Sequence, residues 1–126
     1  ISKDGVGLFN WFMKQRGQIN GYTKAIWNGV TTIELAKAID AAINQNLTGL
    51  YHLTPNSNIS KFGLLQLFKK EFRKEDVEIV PYENFVVDKT LINTRTDFDY
   101  KIPTYPDMIH EMALWIDQHK RLYHYE

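Results

Sequence analysis

Residues 50–82, LYHLTPNSNISKFGLLQLFKKEFRKEDVEIVPY, decide the fold. LYHL (50–53) reads as a short strand, and Thr54-Pro55-Asn56-Ser57-Asn58 as a loop. Ser60 is a natural N-cap, with Ile59 placed for a hydrophobic staple. Leu64, Leu65, Phe68 and Phe72 then recur at helical spacing. VEIVPY (77–82) is a second strand, and its Pro81 suits a strand end or an edge. Strand, helix, strand is the unit that makes two parallel strands joined by a right-handed crossover. The expectation is an α/β fold with three to four helices and a short parallel strand pair, 50–53 with 77–82.

On the N-terminal side, LFNWFMKQR (8–16) has the density of a short buried helix, and Gly17 suits its left-handed stop. Gly17 and Gly21 bracket a turn, after which residues 22–27 (YTKAIW) read as a strand. Thr31-Thr32-Ile33-Glu34 is a capping box: Thr31 can accept the N–H of Glu34, and the Glu34 carboxylate can reach back to Thr31. Ile33, Ala36, Ile39 and Ile43 form the expected buried stripe of that helix, with Glu34, Lys37, Ala41 and Asn44 opposite. On the C-terminal side, residues 83–103 are irregular, with one helical turn expected at 88–91. The last helix starts near Pro106, capped by Thr104, with Met108 or Ile109, Met112, Trp115 and Ile116 inward. Trp11 and Trp115 read as core, and the tail LYHYE as partly docked.

The 126 residues make one domain, with 15 Lys+Arg against 15 Asp+Glu. A neutral chain has no global field to draw it to nucleic acid or an anionic membrane, so neither is expected as a partner. The uncharged stretch 41–60 is too rich in Asn, Gln and Ser to span a bilayer. Cysteine is absent, which removes disulfides, thiolate metal sites and cysteine nucleophiles. That composition fits a reducing cytoplasm, the expected location. The chain begins at Ile1 without a signal-peptide pattern, and reads as a piece of a longer protein.

Most active-site signatures are missing. The seven glycines include no G-x-G-x-x-G, no Gly-Lys pair occurs, and no H-E-x-x-H is present. No tyrosine has a lysine four residues on. His52 reads as a half-buried strand residue, and Asp97 with Asp99 as loop residues bonding their own backbone. Asn46-Leu47-Thr48 and Asn58-Ile59-Ser60 match the glycosylation pattern by chance. Trp27 differs. It ends a strand just before Asn28-Gly29 and a capped helix. Such junctions bind ligands in open α/β sheets, and helix N-termini favour anions.

The order of the pieces resembles the C-terminal part of an extended short-chain dehydrogenase/reductase, of the dTDP-4-dehydrorhamnose reductase-like family of nucleotide-sugar enzymes. The resemblance rests on Asn28 to Lys37, Gly49 to Leu53 (GLYHL), Ile59 to Leu65 (ISKFGLL), Leu91, and Pro103 to Ile109, and covers the chain from about Gly7. It implies a single substrate-side domain, 1–126. The cofactor-binding Rossmann portion, with its glycine fingerprint and Tyr-x-x-x-Lys, would precede it. The parent would be an NAD(P)H-dependent reductase of a 4-keto nucleotide sugar in polysaccharide precursor biosynthesis, with NADP or NAD held by the preceding portion and none by this one. The fragment alone would be inactive and would carry no catalytic or metal-binding residue. The substrate-binding residues would be Trp27, Asn28, Lys89 and Arg95. The family's Arg-Pro pair is missing ahead of the 88–91 turn, so Lys89 or Arg95 would meet the diphosphate. A nucleotide-sugar epimerase and a non-catalytic interaction module are the alternatives. A face left open by the missing half would offer a route to a homodimer.

Overall fold

The computed structural model describes residues 5–125. In chain order the elements are α1 (Leu8–Met13), β1 (Gly17–Trp27), α2 (Thr32–Asn44), β2 (Ile59–Ser60), α3 (Lys61–Glu71), β3 (Val77–Asp88) and α4 (Tyr105–Gln118), followed by a 3₁₀ turn at Lys120–Leu122. The sheet has the order β2-β1-β3, with β1 parallel to β3 and antiparallel to β2. The fold is α/β with four α-helices and a small mixed sheet, the class the sequence predicts.

The caps are local, and they form where the sequence places them. The hydroxyls of Thr31, Ser60 and Thr104 accept the N–H groups of Glu34, Gly63 and Asp107 at 3.2, 3.0 and 3.3 Å. Each satisfies an orphan donor of a first turn. The core lies between the sheet, α1, α3 and α4. It joins Phe9 and Phe12 to Leu64, Leu65 and Phe68, to Val77 and Ile79, and to Ile109, Met112 and Ile116. The tail docks on α1: the Tyr125 ring meets Phe9 edge-on at 5.3 Å, and its hydroxyl donates to Asn10.

Strand pairing departs from expectation. Residues 50–53 form no ladder among the described residues. The parallel partner of β3 is β1, in register from Gly17↔Val77 to Ile26↔Asp88. β1 is therefore the central strand. The turn expected at Gly17–Gly21 is part of β1. Gly21 sits inside the strand because α3 packs directly on its backbone: a Cβ there would meet Phe62 at 2.5 Å and Ile79 at 2.6 Å. Pro81 lies within β3, an edge strand that tolerates its missing donor. Between Tyr22 and Lys24, β1 advances two residues while β3 advances four. That bulge carries Phe85 to within 4.9 Å of the Tyr22 ring.

Other corrections concern faces. Along α2 the buried residues are Glu34 and Ala38, whereas Leu35, Ile39 and Ile43 are 44%, 52% and 69% exposed. Of the predicted apolar stripe, Ile33 packs against the core, whereas Ala36, Ile39 and Ile43 lie on open surface. Trp11 and Trp115 are also largely exposed; Trp115 stacks on His119 at 4.0 Å. The reciprocal half of the capping box is replaced. The Glu34 carboxylate turns inward and accepts from the Tyr100 hydroxyl, and its Oε2 is buried without a hydrogen-bond partner among the described residues. Burial first, and the Glu34 carboxylate second, push the Tyr100 phenol well above its ordinary range. Residues 88–91 form no helical turn; the Asp88 carboxylate accepts the N–H of Thr90 at 2.9 Å instead.

Candidate binding cleft

The C-terminal ends of the parallel strands β1 and β3 open into a cleft of about 700 Å³. Ala25, Ile26 and Trp27 reach it from β1, Val87 and Lys89 from the end of β3, and Tyr105, Met108 and Met112 from α4. Thr31 and Thr32 begin α2 on one wall, and Ser60 and Lys61 begin α3 on another. The crevice beyond the carboxyl ends of parallel strands is where open α/β sheets take ligands. Two helix N-termini add partial positive charge.

Trp27 is half-buried, and its indole fills the space above Gly29. A Cβ on Gly29 would overlap that ring, so the indole lies flat on the backbone of the β1–α2 junction. Tyr105 stands beside it, with ring centroids 6.1 Å apart, and donates its hydroxyl to the Gly29 carbonyl at 3.1 Å. Burial pushes the Tyr105 phenol up to about 12. A phenol so held keeps its proton at neutral pH.

The four predicted site residues separate into two pairs. Trp27 and Lys89 line the cleft. Asn28 is buried, but its amide donates to the Leu91 carbonyl at 2.8 Å and accepts the Leu91 N–H at 2.9 Å. It ties the 88–91 turn to the β1–α2 junction and so holds the backbone next to Lys89, whose own N–H donates to the Ile26 carbonyl at 2.9 Å. Arg95 lies elsewhere. Its Nε and Nη2 face the Asp97 carboxylate, and its Nη1 donates to the carbonyls of Thr48 at 2.7 Å and Leu50 at 3.0 Å. The fork is used up fastening residues 93–97 to the 48–50 backbone. The Arg95 guanidinium holds the Asp97 carboxyl below its ordinary range.

Sequence reasoning missed three lining residues: Tyr22, Phe85 and Lys61. Tyr22 and Phe85 come together only through the bulge. Lys61 carried a local signal, a lysine in the first turn of a helix with no acidic residue in that turn. Its ammonium lies 5.0 Å from the Tyr22 ring centroid and 5.5 Å from that of Trp11. Lys61 and Lys89 are the charged residues lining the cleft, and no Asp or Glu lines it among the described residues.

Groups of three or more His, Asp or Glu that could hold a metal do not occur among the described residues. No described helix is long and apolar enough to cross a membrane. A dinucleotide's pyrophosphate does not fit the β1–α2 turn: it carries one glycine, and the Trp27 indole occupies the space beside it.

Neither a protein-family model nor a curated protein matches this sequence. Solved structures do match. The dTDP-4-dehydrorhamnose reductase of Bacillus anthracis str. Ames, crystallised in complex with NADP, superposes with a TM-score of 0.69 at 17% identity, over 85% of this chain and 41% of that one. A dTDP-4-dehydrorhamnose reductase ortholog from Clostridium acetobutylicum ATCC 824 gives 0.67 at 15% identity, over 90% and 45%. The dTDP-glucose 4,6-dehydratase of Bacillus anthracis str. Ames, in complex with NAD, gives 0.62 at 14% identity, over 93% and 41%. This chain spans less than half the length of each. Its fold is therefore shared with part of two dTDP-4-dehydrorhamnose reductases and a dTDP-glucose 4,6-dehydratase.

Proposed function

We propose that this chain is the substrate-side portion of an NAD(P)H-dependent reductase acting on a 4-keto nucleotide sugar, and that its cleft binds the nucleotide diphosphate. One observation carries the reading: a cleft at the carboxyl ends of parallel strands, lined by lysines and helix N-termini and, among the described residues, by no carboxylate. Such a lining stabilises a phosphate and disfavours a cation or a neutral acid-seeking ligand. Its aromatic and aliphatic remainder suits the less polar parts of a nucleotide sugar.

In this reading Lys89 meets the phosphates, Trp27 and Tyr105 form one wall, and Asn28 holds the turn that carries Lys89. This chain binds and orients. NADP or NAD, held by a preceding cofactor-binding portion, would supply the hydride, and a group outside this chain would supply the proton. The exposed stripe of Leu35, Ile39 and Ile43 supports that division. An amphipathic helix whose apolar face lies open has the pattern of a helix packed on a further layer.

The test is Lys89→Ala in a protein that carries this chain behind its cofactor-binding portion. The KM for a 4-keto dTDP-sugar should rise by about tenfold, as expected for one charge-assisted phosphate contact, while the KM for NADPH stays put. An unchanged sugar-nucleotide KM removes Lys89 from the site. Failure of dTDP to bind at all removes the nucleotide reading.

A further inference from the structure

The C-terminal tail and the cleft meet at one side chain, Asn10. Val6, Gly7, Leu8, Phe9 and Asn10 line the cleft, and they form the approach and start of α1, a helix of 6 residues. A helix so short is not stable on its own. The longer helices fix their first turns with the hydroxyls of Thr31, Ser60 and Thr104. α1 has no such cap: Gly7 precedes it at φ 98° and offers no side chain. Asn10 holds this end from inside the helix instead, donating its amide to the Val6 carbonyl at 2.7 Å.

Asn10 is itself held from outside. It is 2% exposed, and its Oδ1 accepts the hydroxyl of Tyr125. The Tyr125 ring meets Phe9 edge-on and stacks with Tyr123 at 6.0 Å. Burial first, and Tyr123 second, raise the Tyr125 phenol above its ordinary range, so it remains a donor at neutral pH. The contacts run from the Tyr125 hydroxyl through the Asn10 amide to the Val6 carbonyl, and the first of them joins residues 115 positions apart. A buried amide bonded at both ends admits few geometries. The wall that these residues form at the cleft is thus set by a side chain from the other end of the chain.

We propose that Tyr125 is a positioning residue: through Asn10 it fixes the 6–10 wall, so that the C-terminal tail sets the affinity of the cleft for its ligand. The proposal takes its ligand from the nucleotide reading of the cleft and adds to it a residue and a coupling.

The experiment combines amide hydrogen exchange, without ligand, and calorimetric titration with dTDP, on the chain, on Tyr125→Phe and on Asn10→Asp. Tyr125→Phe keeps the ring on Phe9 and deletes the hydroxyl. Asn10→Asp keeps an acceptor for Tyr125 and deletes the donor to Val6. Far-UV circular dichroism establishes that each variant is folded. The reporter is the Trp11 N–H, which donates to the Gly7 carbonyl at 3.0 Å; the reference is the Leu35 N–H, which donates to the Thr31 carbonyl at 2.9 Å. In Tyr125→Phe the Trp11 amide should exchange about fivefold faster, as expected for the loss of one neutral hydrogen bond, with Leu35 unchanged. Affinity for dTDP should fall about threefold, because the wall must then be ordered on binding. Asn10→Asp should move both readouts in the same direction. Wild-type exchange at Trp11 in either variant overturns the proposal. Equal acceleration at Trp11 and Leu35 also overturns it, since the hydroxyl would then add only general stability. Local acceleration with unchanged dTDP affinity overturns it while the nucleotide reading stands. If the wild type binds no dTDP, the nucleotide reading falls and takes this proposal with it.

Discussion

Asn28→Ala tests whether the turn carrying Lys89 is held by one side chain. Asn28 is 7% exposed, and its amide spends both ends on Leu91: Nδ2 donates to the carbonyl at 2.8 Å, and Oδ1 accepts the N–H at 2.9 Å. Truncation strands two backbone groups. Each would cost about 1–3 kcal/mol if fully buried. The Leu91 side chain, however, is half exposed, so water can reach part of that segment. The expected loss is therefore about 2 kcal/mol in total, read as a lower urea midpoint at unchanged m-value. Lys89 is untouched, but its turn must now be ordered on binding. Ordering costs of about 0.5–1.5 kcal/mol translate into a roughly two- to tenfold loss of dTDP affinity. Asn28→Asp gives an internal control. At neutral pH a carboxylate would face the Leu91 carbonyl, so the folded state favours the protonated acid and raises its pKa. The stability deficit of Asn28→Asp should then shrink as pH falls through that raised pKa. An Asn28→Ala protein within about 0.5 kcal/mol of wild type and with unchanged dTDP affinity would refute the clamp.

Two further perturbations probe the wall of the cleft. Gly29→Ala places a methyl where the Trp27 indole lies; it should cost about 1–3 kcal/mol and change the near-UV circular dichroism, and an unaltered spectrum with full stability would show that the ring is not seated on that backbone. Tyr105, pushed up to about 12 by burial, keeps its proton in the folded state while the unfolded phenol ionises near 10. Stability should therefore fall as pH rises from 10 toward 12, by about 2–3 kcal/mol in all. Tyr105→Phe should flatten that slope in thermal melts, and identical slopes in the two proteins would contradict the buried hydroxyl.

What could be read from the sequence was local. The caps at Thr31, Ser60 and Thr104 depend on a residue and the N–H three positions later, and all three form. The stripe of α3, and that of α4 apart from Trp115, ends inward because those helices cross the core. The stripe of α2 was read correctly as apolar but, beyond Ile33, wrongly as buried. Periodicity identifies the face that wants a partner; it does not say that the partner lies within the same 126 residues. The same reason accounts for residues 50–53, which have strand composition but no ladder, because a strand is defined by its neighbour. Of the four residues singled out for the site, Trp27 and Lys89 line the cleft. What Asn28 and Arg95 bond to was not legible, because their amide and guanidinium partners lie 63 and 45–47 residues away. Lys61 was visible in the sequence as a misplaced charge, but only its ring neighbours show where that charge points.

Zero net charge argues against attraction to nucleic acid or an anionic membrane, yet the charges are sorted in space. Exposed carboxylates pair with cations away from the cleft, Asp76 with Lys74 and Arg16, Glu111 with Lys37, Asp97 with Arg95. Glu34, the acid buried in α2, turns to Tyr100. What remains at the carboxyl ends of β1 and β3 is two lysines and no acid among the described residues. A field confined to one concave wall acts over about a Debye length, ~8–10 Å at physiological salt. It therefore selects what enters the cleft without drawing polyanions to the whole surface. The Tyr105 phenol in the same wall is held protonated. In the proposed reading this chain holds an anionic ligand in place, and the proton and hydride reach that ligand from groups that lie outside it.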